Sequence, residues 1–371
     1  MSVSDPVSVD VVVPVLNEAK ELPLFFADLA GQVDADGEQL SAGTVCAIVV
    51  DSESTDGTPA IVEESRARHP GLQIVFVQEP VRNHVAARAR GAAVALERPG
   101  ALLASADVDT RFHPQWIQDI GRRLGVEGLD AVTYSGHYPA SFWKAVPRLA
   151  RRYFDEVGTI FFGPETVAHY GFDPAAALFT PGLFRDLVRM PSDCAWAYTK
   201  AVYERAGGFR RERYDDGREV VFEGRNLRFR LDALGARVAY VDTAPFETSP
   251  RRLLAEAGTF LEGSAYGDEL RPIREAGGAE QHAALERLAD TYDFAALRRY
   301  VVKHYVLLPV VSRPALLTGN ERYFGTAAAA VRETLDRFAA APRSAASIHL
   351  QADALLAAHF GEIVASFASA R

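Results

Sequence analysis

Carboxylates follow three apolar runs in the first third of the sequence, at the points where those runs end. Asn17 and Glu18 follow the first run, Asp51 the second, and Asp107 and Asp109 the fourth. In an open α/β sheet, ligands bind outside the carboxyl ends of the strands, so these side chains should meet. Carboxylate oxygens are ligands for Mn²⁺ and Mg²⁺, and such a cation neutralises phosphate. Each turn alone also fits a capping role, and only their joint order favours a site.

The elements that must position these residues alternate in type. Short β-branched runs predict strands, and intervening segments with helical spacing predict helices, so we expect a mostly parallel sheet with helices on both faces. The predicted strands are 9–13, 45–50, 73–77, 102–106, 131–134 and 237–241. Four helices are predicted between these strands. The first has Leu22, Phe25, Phe26 and Leu29 on its apolar face, and the second begins at Pro59 and has Ile61, Val62 and Ser65 on its inner face. The other two span 84–96 and 200–206.

The second half of the sequence is less regular. Residues 140–191 are rich in aromatics and prolines and show no clear period. From Arg251 onward the spacing is helical and rich in alanine, so we expect a helical lobe that begins near Pro250. A chain of 371 residues fits one large domain with such a smaller lobe.

Composition excludes several classes of protein. The chain is 48% hydrophobic and 24% charged, which is typical of a globular protein, and it has no apolar run long enough to cross a bilayer. A net charge of −9 argues against nucleic acid as a partner. Residues 1–9 lack the features of a secretion signal, so we expect a cytoplasmic protein, and Cys46 and Cys194 are interpreted as inert thiols. A homodimer stays open, as does peripheral membrane contact through 300–311, although a core helix is favoured there.

Seven segments in a fixed order resemble the family 2 glycosyltransferases of GT-A fold, over about residues 7–252. They are P-x-x-N-E at 14–18, V-V-D-x-x-S-T-D-G-T at 49–58, Ala87-Arg88 with Gly91, D-x-D at 107–109, A-G-G-F at 206–209, Glu223 followed by Leu227 and Arg230-Leu231, and T-S-P-R-R at 248–252. The resemblance implies a GT-A domain over 1–250, with a nucleotide-binding half at about 1–115 and an acceptor half at about 116–250. Residues 251–371 then form the helical lobe.

The resemblance also implies roles for individual residues. Asp109 is the expected ligand of Mn²⁺ or Mg²⁺, with Asp107 holding the ribose or the waters of the metal. Asp51 accepts a hydrogen bond from the base, and Glu18 lies beside the ribose. The expected nucleotide-sugar-binding set is Pro14, Asn17, Glu18, Asp51, Arg88, Asp107, Val108, Asp109 and Arg251. A divalent cation stabilises the negative charge that a nucleotide diphosphate leaving group develops.

The sequence departs from the family at the acceptor end. The Glu-Asp pair whose Asp acts as general base in the family falls on Glu223-Gly224, so the expected base is missing. Glu223 is the nearest replacement and Asp216 the second, because an attacking hydroxyl still needs a proton acceptor. Asp193 and Trp196 are candidates for the acceptor site. Inversion is the family default, and Gly224 leaves retention of configuration open.

The predicted function is transfer of a sugar from a nucleotide diphosphate sugar to the hydroxyl of a small-molecule or glycan acceptor. UDP-sugars are favoured as donors, with GDP-sugars as the alternative. One competing interpretation is a non-catalytic relative that binds nucleotide sugar, which Gly224 makes reasonable. Another is a sugar nucleotidyltransferase, but its usual Gly-rich basic loop after the first strand is replaced here by the acidic turn at 14–18.

Overall fold

The computed structural model describes residues 8–157, 171, 194–261, 278–339 and 343–369. Within these ranges, eight strands lie in one sheet. They are β1 Val9–Val15, β2 Val45–Asp51, β3 Gln73–Gln78, β4 Leu102–Ala106, β5 Thr110–Arg111, β6 Ala131–His137, β7 Ala195–Thr199 and β8 Val238–Thr248.

Helices connect the strands and make up the C-terminal region. Those of the sheet region are α1 Leu22–Ala30, α2 Thr58–Arg68, α3 His84–Leu96, α4 Trp116–Ile120, α5 Ala140–Ala145, α6 Pro147–Val157, α7 Lys200–Arg205 and α8 Glu223–Ala233. They are followed by α9 Arg251–Ala255, α10 Ala257–Leu261, α11 Ala279–Thr291, α12 Phe294–Val301, α13 Leu308–Ser312, α14 Ala328–Ala339 and α15 Ala345–Ser369. Within the described ranges, no helix has the length and apolar character that crossing a bilayer requires.

The sheet is mixed and mostly parallel, with the strand order β3-β2-β1-β4-β7-β6-β8-β5. Strands β3, β2, β1 and β4 run in parallel, and β7 lies antiparallel between β4 and β6. Strand β8 is parallel to β6 and pairs with the short β5 in the opposite direction. The chain runs outward from β1 to β3 and returns to β4 on the other side of β1. The topological switch point therefore lies between the carboxyl ends of β1 and β4, where open sheets bind ligands.

Apolar side chains cover both faces of the sheet. Alternate residues of β1 face opposite ways, so Val11 and Val13 pack with α1, α2 and α4, whereas Val12 packs with α3, α7 and α8. This arrangement, together with the C-terminal helices, confirms the predicted fold class. Strand β7 was not predicted, because four of its five residues are buried and it follows a segment without a clear period.

A third apolar core joins α5 and α6 to the C-terminal helices. Phe142, Trp143 and Tyr153 pack in it with side chains of α11, α12 and α15, and Phe229 of α8 belongs to the same cluster. The helical pattern predicted from Arg251 onward is confirmed by α9 to α15. The lobe boundary near Pro250 stays a prediction.

Helix α3 is held close to the sheet and begins at its carboxyl edge. The side chain of Asn83 caps it by accepting a hydrogen bond from the backbone N–H of Ala86 at 3.0 Å. Gly91 lies so close to β1 and β2 that a Cβ there would approach Val12 at 2.4 Å and Val50 at 2.8 Å. The helix thus projects its first turns toward the ends of β1 and β4.

Candidate active site

An arginine joins two carboxylates across the switch point. The guanidinium of Arg251 donates to Oε1 and Oε2 of Glu18 at 2.7 and 2.8 Å, and its Nε donates to Oδ2 of Asp109 at 2.7 Å. Glu18 follows β1 and Asp109 follows β4. The ends of these two neighbouring strands are therefore joined by the side chain of Arg251. Bidentate pairing to Glu18 makes this a well-oriented ion pair.

Strand pairing at the far end of the sheet brings Arg251 to this position. Thr110 of β5 pairs with Thr248 of β8, and the N–H of Ser249 donates to the backbone carbonyl of Asp109 at 3.2 Å. Helix α9 begins two residues later, at Arg251. The D-x-D segment and the Arg251 segment, 142 residues apart in the chain, therefore lie side by side.

Burial sets the protonation behaviour of this group. Removal from water raises the pKa of Glu18 and that of Asp109, and Arg251 only partly opposes both rises. The neighbouring charge of Asp107 also raises the pKa of Asp109. Burial acts to lower the pKa of Arg251, but Glu18 and Asp109 outweigh it and raise that pKa. Arg251 therefore stays positively charged. Glu18 and Asp109 take up a proton at a higher pH than free carboxyl groups do.

A second arginine gathers the groups beside Asp107. Arg88 of α3 is 3% exposed, and its Nε donates to Oε1 of Glu223 at 3.1 Å. Its other two nitrogens donate to Ser105 and to Oδ1 of Asp107. The thiol of Cys194 donates to the second oxygen of Asp107 at 3.1 Å. Arg88 thereby links the end of β4 to the start of α8.

The carboxylates of this second group stay ionised. Burial acts to raise the pKa of Asp107, but the charge of Arg88, the hydrogen bond from Cys194 and the charge of Arg252 together outweigh it and lower that pKa. Burial likewise acts to raise the pKa of Glu223, but His84 and Arg88 outweigh it and lower the pKa to about 2. His84 Nε2 lies 3.0 Å from Oε2 of Glu223. Both oxygens of Glu223 are thus engaged by basic side chains.

A rigid pair of turns forms the edge of the site around Asp51. The carboxylate of Asp51 is 1% exposed and accepts hydrogen bonds from the N–H of Ser54 at 3.2 Å and from Gln78 Nε2 at 3.1 Å. Asn17 has a φ of 58°, and its side chain accepts from the N–H of Thr55 at 2.7 Å. A non-glycine residue in the left-handed region is strained, and such strain is concentrated at ligand sites.

These features coincide with a family assignment. The model of the family described as Glycosyl transferase family 2 matches residues 10–172, which include Glu18, Asp51, Arg88, Asp107 and Asp109. Residues 10–172 belong to glycosyl transferase family 2. The chain is therefore a glycosyltransferase.

Several solved structures are similar to this glycosyltransferase. The mannosyltransferase PcManGT from Pyrobaculum calidifontis, in complex with GDP-Man and Mn²⁺, is 17% identical, with 96% of this chain and 88% of that chain covered and a TM-score of 0.45. TarS 1–349 from S. aureus is 15% identical, with 98% and 91% covered and a TM-score of 0.45. Glucosyl-3-phosphoglycerate synthase from Mycobacterium tuberculosis, in complex with Mn²⁺, UDP-glucose and phosphoglyceric acid, is 19% identical, with 78% and 80% covered and a TM-score of 0.36. No curated protein matches the chain.

The remaining predicted site residues of the glycosyltransferase are spread more widely. Pro14 pairs with Val50 inside the sheet, and Val108 is 3% exposed within the core. Trp196 is 1% exposed and stacks on Tyr198, so its ring presents no open face. Asp216 lies at an exposed turn and pairs with Arg218 at 2.8 Å. Asp193 lies outside the described residues.

Asp107 and Asp109 could hold a divalent cation only if most of its other ligands came from the substrate and from water. Asp107 and Asp109 offer the oxygen donors that Mn²⁺ and Mg²⁺ prefer. In the described part of the chain, no three His, Cys, Asp or Glu side chains form a group that could hold a metal. Mg²⁺ is commonly held by one or two carboxylates together with substrate phosphates and water, and that is the kind of site this donor set permits.

Three site residues escaped the sequence analysis, namely His84, Ser105 and Cys194. Ser105 and Cys194 could not be predicted, because a serine inside a strand and an isolated cysteine belong to no recognisable sequence motif. His84 had a usable signal. It precedes Arg88 by four residues, so the two share one face of α3, and it directly follows the N-cap Asn83.

Proposed function

We propose that this glycosyltransferase transfers a hexose from a nucleotide diphosphate sugar to an acceptor hydroxyl, with Mn²⁺ or Mg²⁺ at Asp109 and Asp107. A UDP-sugar is the favoured donor, a GDP-sugar is the alternative, and the acceptor is a small molecule or a glycan. The reaction inverts the anomeric configuration.

One observation supports this function above the others. Glu18, Asp107 and Asp109, from the ends of the two strands that flank the switch point, are each paired with an arginine. A nucleotide diphosphate brings both hydroxyls, which carboxylates bind, and phosphates, which arginines and a divalent cation bind. The site thus combines the two kinds of group that the donor requires.

Each residue then has a chemical task. Asp51, held in a fixed orientation by Ser54 and Gln78, accepts from the base, and Glu18 accepts from the ribose. Arg251 exchanges its carboxylate partners for phosphate oxygens when the donor binds. Asp109 and Asp107 would hold the divalent cation, which would supply Lewis-acid stabilisation of the leaving diphosphate when bound. Asp193 remains proposed for the acceptor side, whereas the buried ring of Trp196 has no open face on which an acceptor could bind.

Donor binding and turnover together test the proposal. Melting temperatures are measured with UDP, GDP, UDP-glucose, UDP-N-acetylglucosamine and GDP-mannose, each with and without Mn²⁺, because a ligand of the native state stabilises it. We expect one base to be preferred and Mn²⁺ to increase the shift. Slow release of nucleoside diphosphate and free sugar in water should accompany binding.

Other outcomes point to other functions. Binding of a nucleotide sugar without any release of nucleoside diphosphate, even with added acceptors, would identify a non-catalytic binding protein. Formation of a nucleotide sugar from a nucleoside triphosphate and a sugar phosphate, with release of pyrophosphate, would identify a nucleotidyltransferase. Stabilisation by none of the five nucleotides would contradict the proposal as a whole.

A further inference from the structure

A cavity lies between α6 and α11, two helices apart from those that carry the candidate active site. Its volume is about 580 Å³, which is within the range of pockets that hold small molecules. The described residues that line it are Pro147, Arg148, Arg151, Arg152, Ala289 and Asp290. It is called the arginine cavity below.

Positive charge dominates the arginine cavity. Three of its lining residues are arginines and one is an acid, although the chain as a whole carries a net charge of −9. Arg148 of α6 pairs with Asp290 of the facing helix. Within the described part of the chain, neither Arg151 nor Arg152 forms an ion pair with a carboxylate. Two guanidiniums therefore line the cavity without a negative charge to balance them.

Helical spacing places these guanidiniums together. Arg151 and Arg152 follow Arg148 by three and four residues in α6, so all three share one face of the helix. The opposite face packs in the helical core, where Tyr153 is buried. The guanidinium carbon of Arg152 lies 4.6 Å from the centroid of the Phe294 ring. An arginine on an aromatic ring still has N–H donors in the plane of its guanidinium for an anion.

Helix stability gives no reason for three arginines at these positions. Arg148 lies in the first turn of α6, where the helix dipole opposes a basic side chain. Like charges three or four residues apart also destabilise a helix. The start of the helix already has an acidic partner, since the N–H groups of Arg148 and Leu149 donate to Oε1 of Glu286 at 3.0 and 3.1 Å. A bound anion would relieve the repulsion that remains among the arginines.

A phosphate monoester matches both the charge and the donors of the cavity. Near pH 7 such a group carries a charge of about −1.5 to −2, which two guanidiniums balance. Arginine binds phosphate oxygens through pairs of parallel N–H donors. A single carboxylate would balance only one of the two free guanidiniums.

The surface around the cavity favours a soluble molecule over a lipid bilayer. Basic helices that bind membranes also present exposed apolar side chains to the lipid. None of the exposed large apolar side chains in the described ranges lies on α6 or α11; they are Leu24, Val81, Val126, Leu234 and Leu350. A cavity of about 580 Å³ can instead enclose a small molecule.

We infer that the arginine cavity binds the phosphate monoester of a soluble small molecule, with Arg151 and Arg152 donating to the phosphate oxygens. Arg148 keeps its pair with Asp290 and adds to the positive charge of the site. This site is additional to the proposed donor site, and the inference does not depend on the proposed function.

Titration calorimetry with inorganic phosphate, glucose 6-phosphate and glucose, all without Mn²⁺, tests the inference. The wild type is compared with the cavity variant Arg151→Gln/Arg152→Gln. The matched control is Arg332→Gln/Arg337→Gln, because it removes the same charge from exposed positions of another helix, α14. Arg251→Gln reports any phosphate that binds at the candidate active site instead.

We expect the wild type, the control and Arg251→Gln to bind both phosphates with equal affinity, and glucose not to bind. In the cavity variant the affinity should fall roughly 10²-fold or more, because each hydrogen bond to a charged group is worth about tenfold or more. Binding to the wild type should weaken as salt is added, since ions screen the guanidiniums. The melting temperature of the cavity variant should stay close to that of the wild type, because neither arginine forms an ion pair in the described structure.

Three results would overturn the inference. The first is a wild type that binds neither phosphate, or binds both no more tightly than the cavity variant does. The second is a loss of affinity in Arg251→Gln alone, which would assign the phosphate to the candidate active site. The third is sedimentation of the wild type, but not of the cavity variant, with vesicles of phosphatidylglycerol and not of phosphatidylcholine, without binding of the soluble phosphates. That result would identify a membrane surface as the partner.

These measurements are separate from those that test the proposed function. None of them uses a nucleotide, so a protein that binds glucose 6-phosphate through the cavity but binds no nucleotide would contradict the proposed function alone. A protein that binds and hydrolyses a nucleotide sugar but binds neither phosphate would contradict the arginine cavity alone.

Discussion

The charged residues of the site are held together by ion pairs. Three carboxylates lie at adjoining strand ends, and each would repel the others if no cation stood between them. Arg251 pairs with both Glu18 and Asp109, and Arg88 pairs with both Asp107 and Glu223, so each arginine reduces the repulsion between two carboxylates. Substitutions on the two sides of this arrangement should therefore have different effects on catalysis and on stability.

Asp109→Asn tests the metal site and should affect activity far more than stability. We expect Mn²⁺-dependent turnover to fall roughly 10²-fold or more, because a Lewis-acid cation contributes several kcal/mol to the transition state. The fold should survive, since Arg251 keeps its bidentate partner Glu18. Turnover, Mn²⁺-dependent nucleotide binding and melting temperature are measured together.

Asp56→Ala is the matched control, because this carboxylate is structural. It accepts from the N–H of Thr58 at 2.9 Å and from that of Ala19 at 3.1 Å. Loss of these hydrogen bonds costs about 1 kcal/mol, so the melting temperature should fall while the folded enzyme keeps its turnover. Unchanged Mn²⁺-dependent binding in Asp109→Asn would contradict the metal role.

The stability of the protein in acid should depend on Glu223. Its pKa is lowered from an ordinary 4.5 to about 2, so its ionised form is favoured in the folded state. This contribution is present above pH 4.5 and is lost as the pH falls through about 2. We expect Glu223→Gln to reduce the free energy of unfolding near neutrality and to flatten its decline between these pH values.

Urea unfolding at a series of pH values measures this effect, and Asp216→Asn provides the comparison. The pKa of Asp216 is also lowered, by its hydrogen bonds to Arg218, but its side chain is 53% exposed. Exposed ion pairs contribute little to stability because water screens them. An acid decline in Glu223→Gln as steep as that of the wild type would show that the buried pairs do not carry this dependence.

The sequence predicts where the charged residues lie in the sheet better than it predicts which side chains they contact. The strand-end positions of Asp51, Asp107 and Asp109 could be predicted because each residue ends or follows an apolar run, and strand ends share one edge of a parallel sheet. The partners of Asp107 were not found, since Cys194 and Arg88 reach it only through the packing of β7 and α3 on β4. Such contacts depend on tertiary structure, and the spacing of residues along the sequence does not predict them.

Helix α3 is the element on which the site depends most directly. It carries both His84 and Arg88, and its distance from the sheet is set by Gly91. A Cβ at this position would overlap side chains of β1 and β2, so a larger residue must displace those valines or push the helix outward. Movement of the helix would then separate Arg88 from Asp107 and Glu223.

Gly91→Ala should therefore destabilise the protein and impair the site. Overpacking of this kind costs about 1–3 kcal/mol, and donor turnover per folded molecule should fall as well. Gly361→Ala in α15 is the matched control, because a Cβ there meets nothing within 4 Å. That change should stabilise the protein by up to about 1 kcal/mol, as alanine favours helix over glycine. Denaturant unfolding distinguishes the two, and equal effects would contradict the close packing of α3.

Elements with a strong local pattern were predicted well. The limits of α3 matched at both ends, because Asn83 is a favourable N-cap and the alanine-rich stretch that follows suits a helix. Strand β7 was missed, because it is buried and so lacks the alternation of apolar and polar residues that marks a half-buried strand. Its antiparallel place between β4 and β6 follows from tertiary pairing alone.

At the scale of the whole molecule, α8 joins the sheet to the C-terminal helices. It is buried nearly all round, with Leu227 and Leu231 in the sheet core and Phe229 in the helical core. A helix buried on all sides belongs to the interior of a larger unit. Loss of either core would expose one face of α8, so the two cores should unfold together.

The three tryptophans of the chain test this coupling, since they report on separate cores. Trp143 lies in the helical core, Trp116 in the core on one face of the sheet, and Trp196 in the core on the other. We expect a variant that keeps only Trp143 and one that keeps only Trp116, with phenylalanine at the other two positions, each to unfold in one transition. In each variant, the denaturant midpoint from fluorescence should equal that from far-ultraviolet circular dichroism, as cooperative unfolding requires. Comparison within one variant removes the effect of the substitutions themselves. A fluorescence transition of Trp143 at lower denaturant than the loss of helix and sheet signal would instead show a C-terminal lobe that unfolds independently, as a domain boundary near Pro250 would allow.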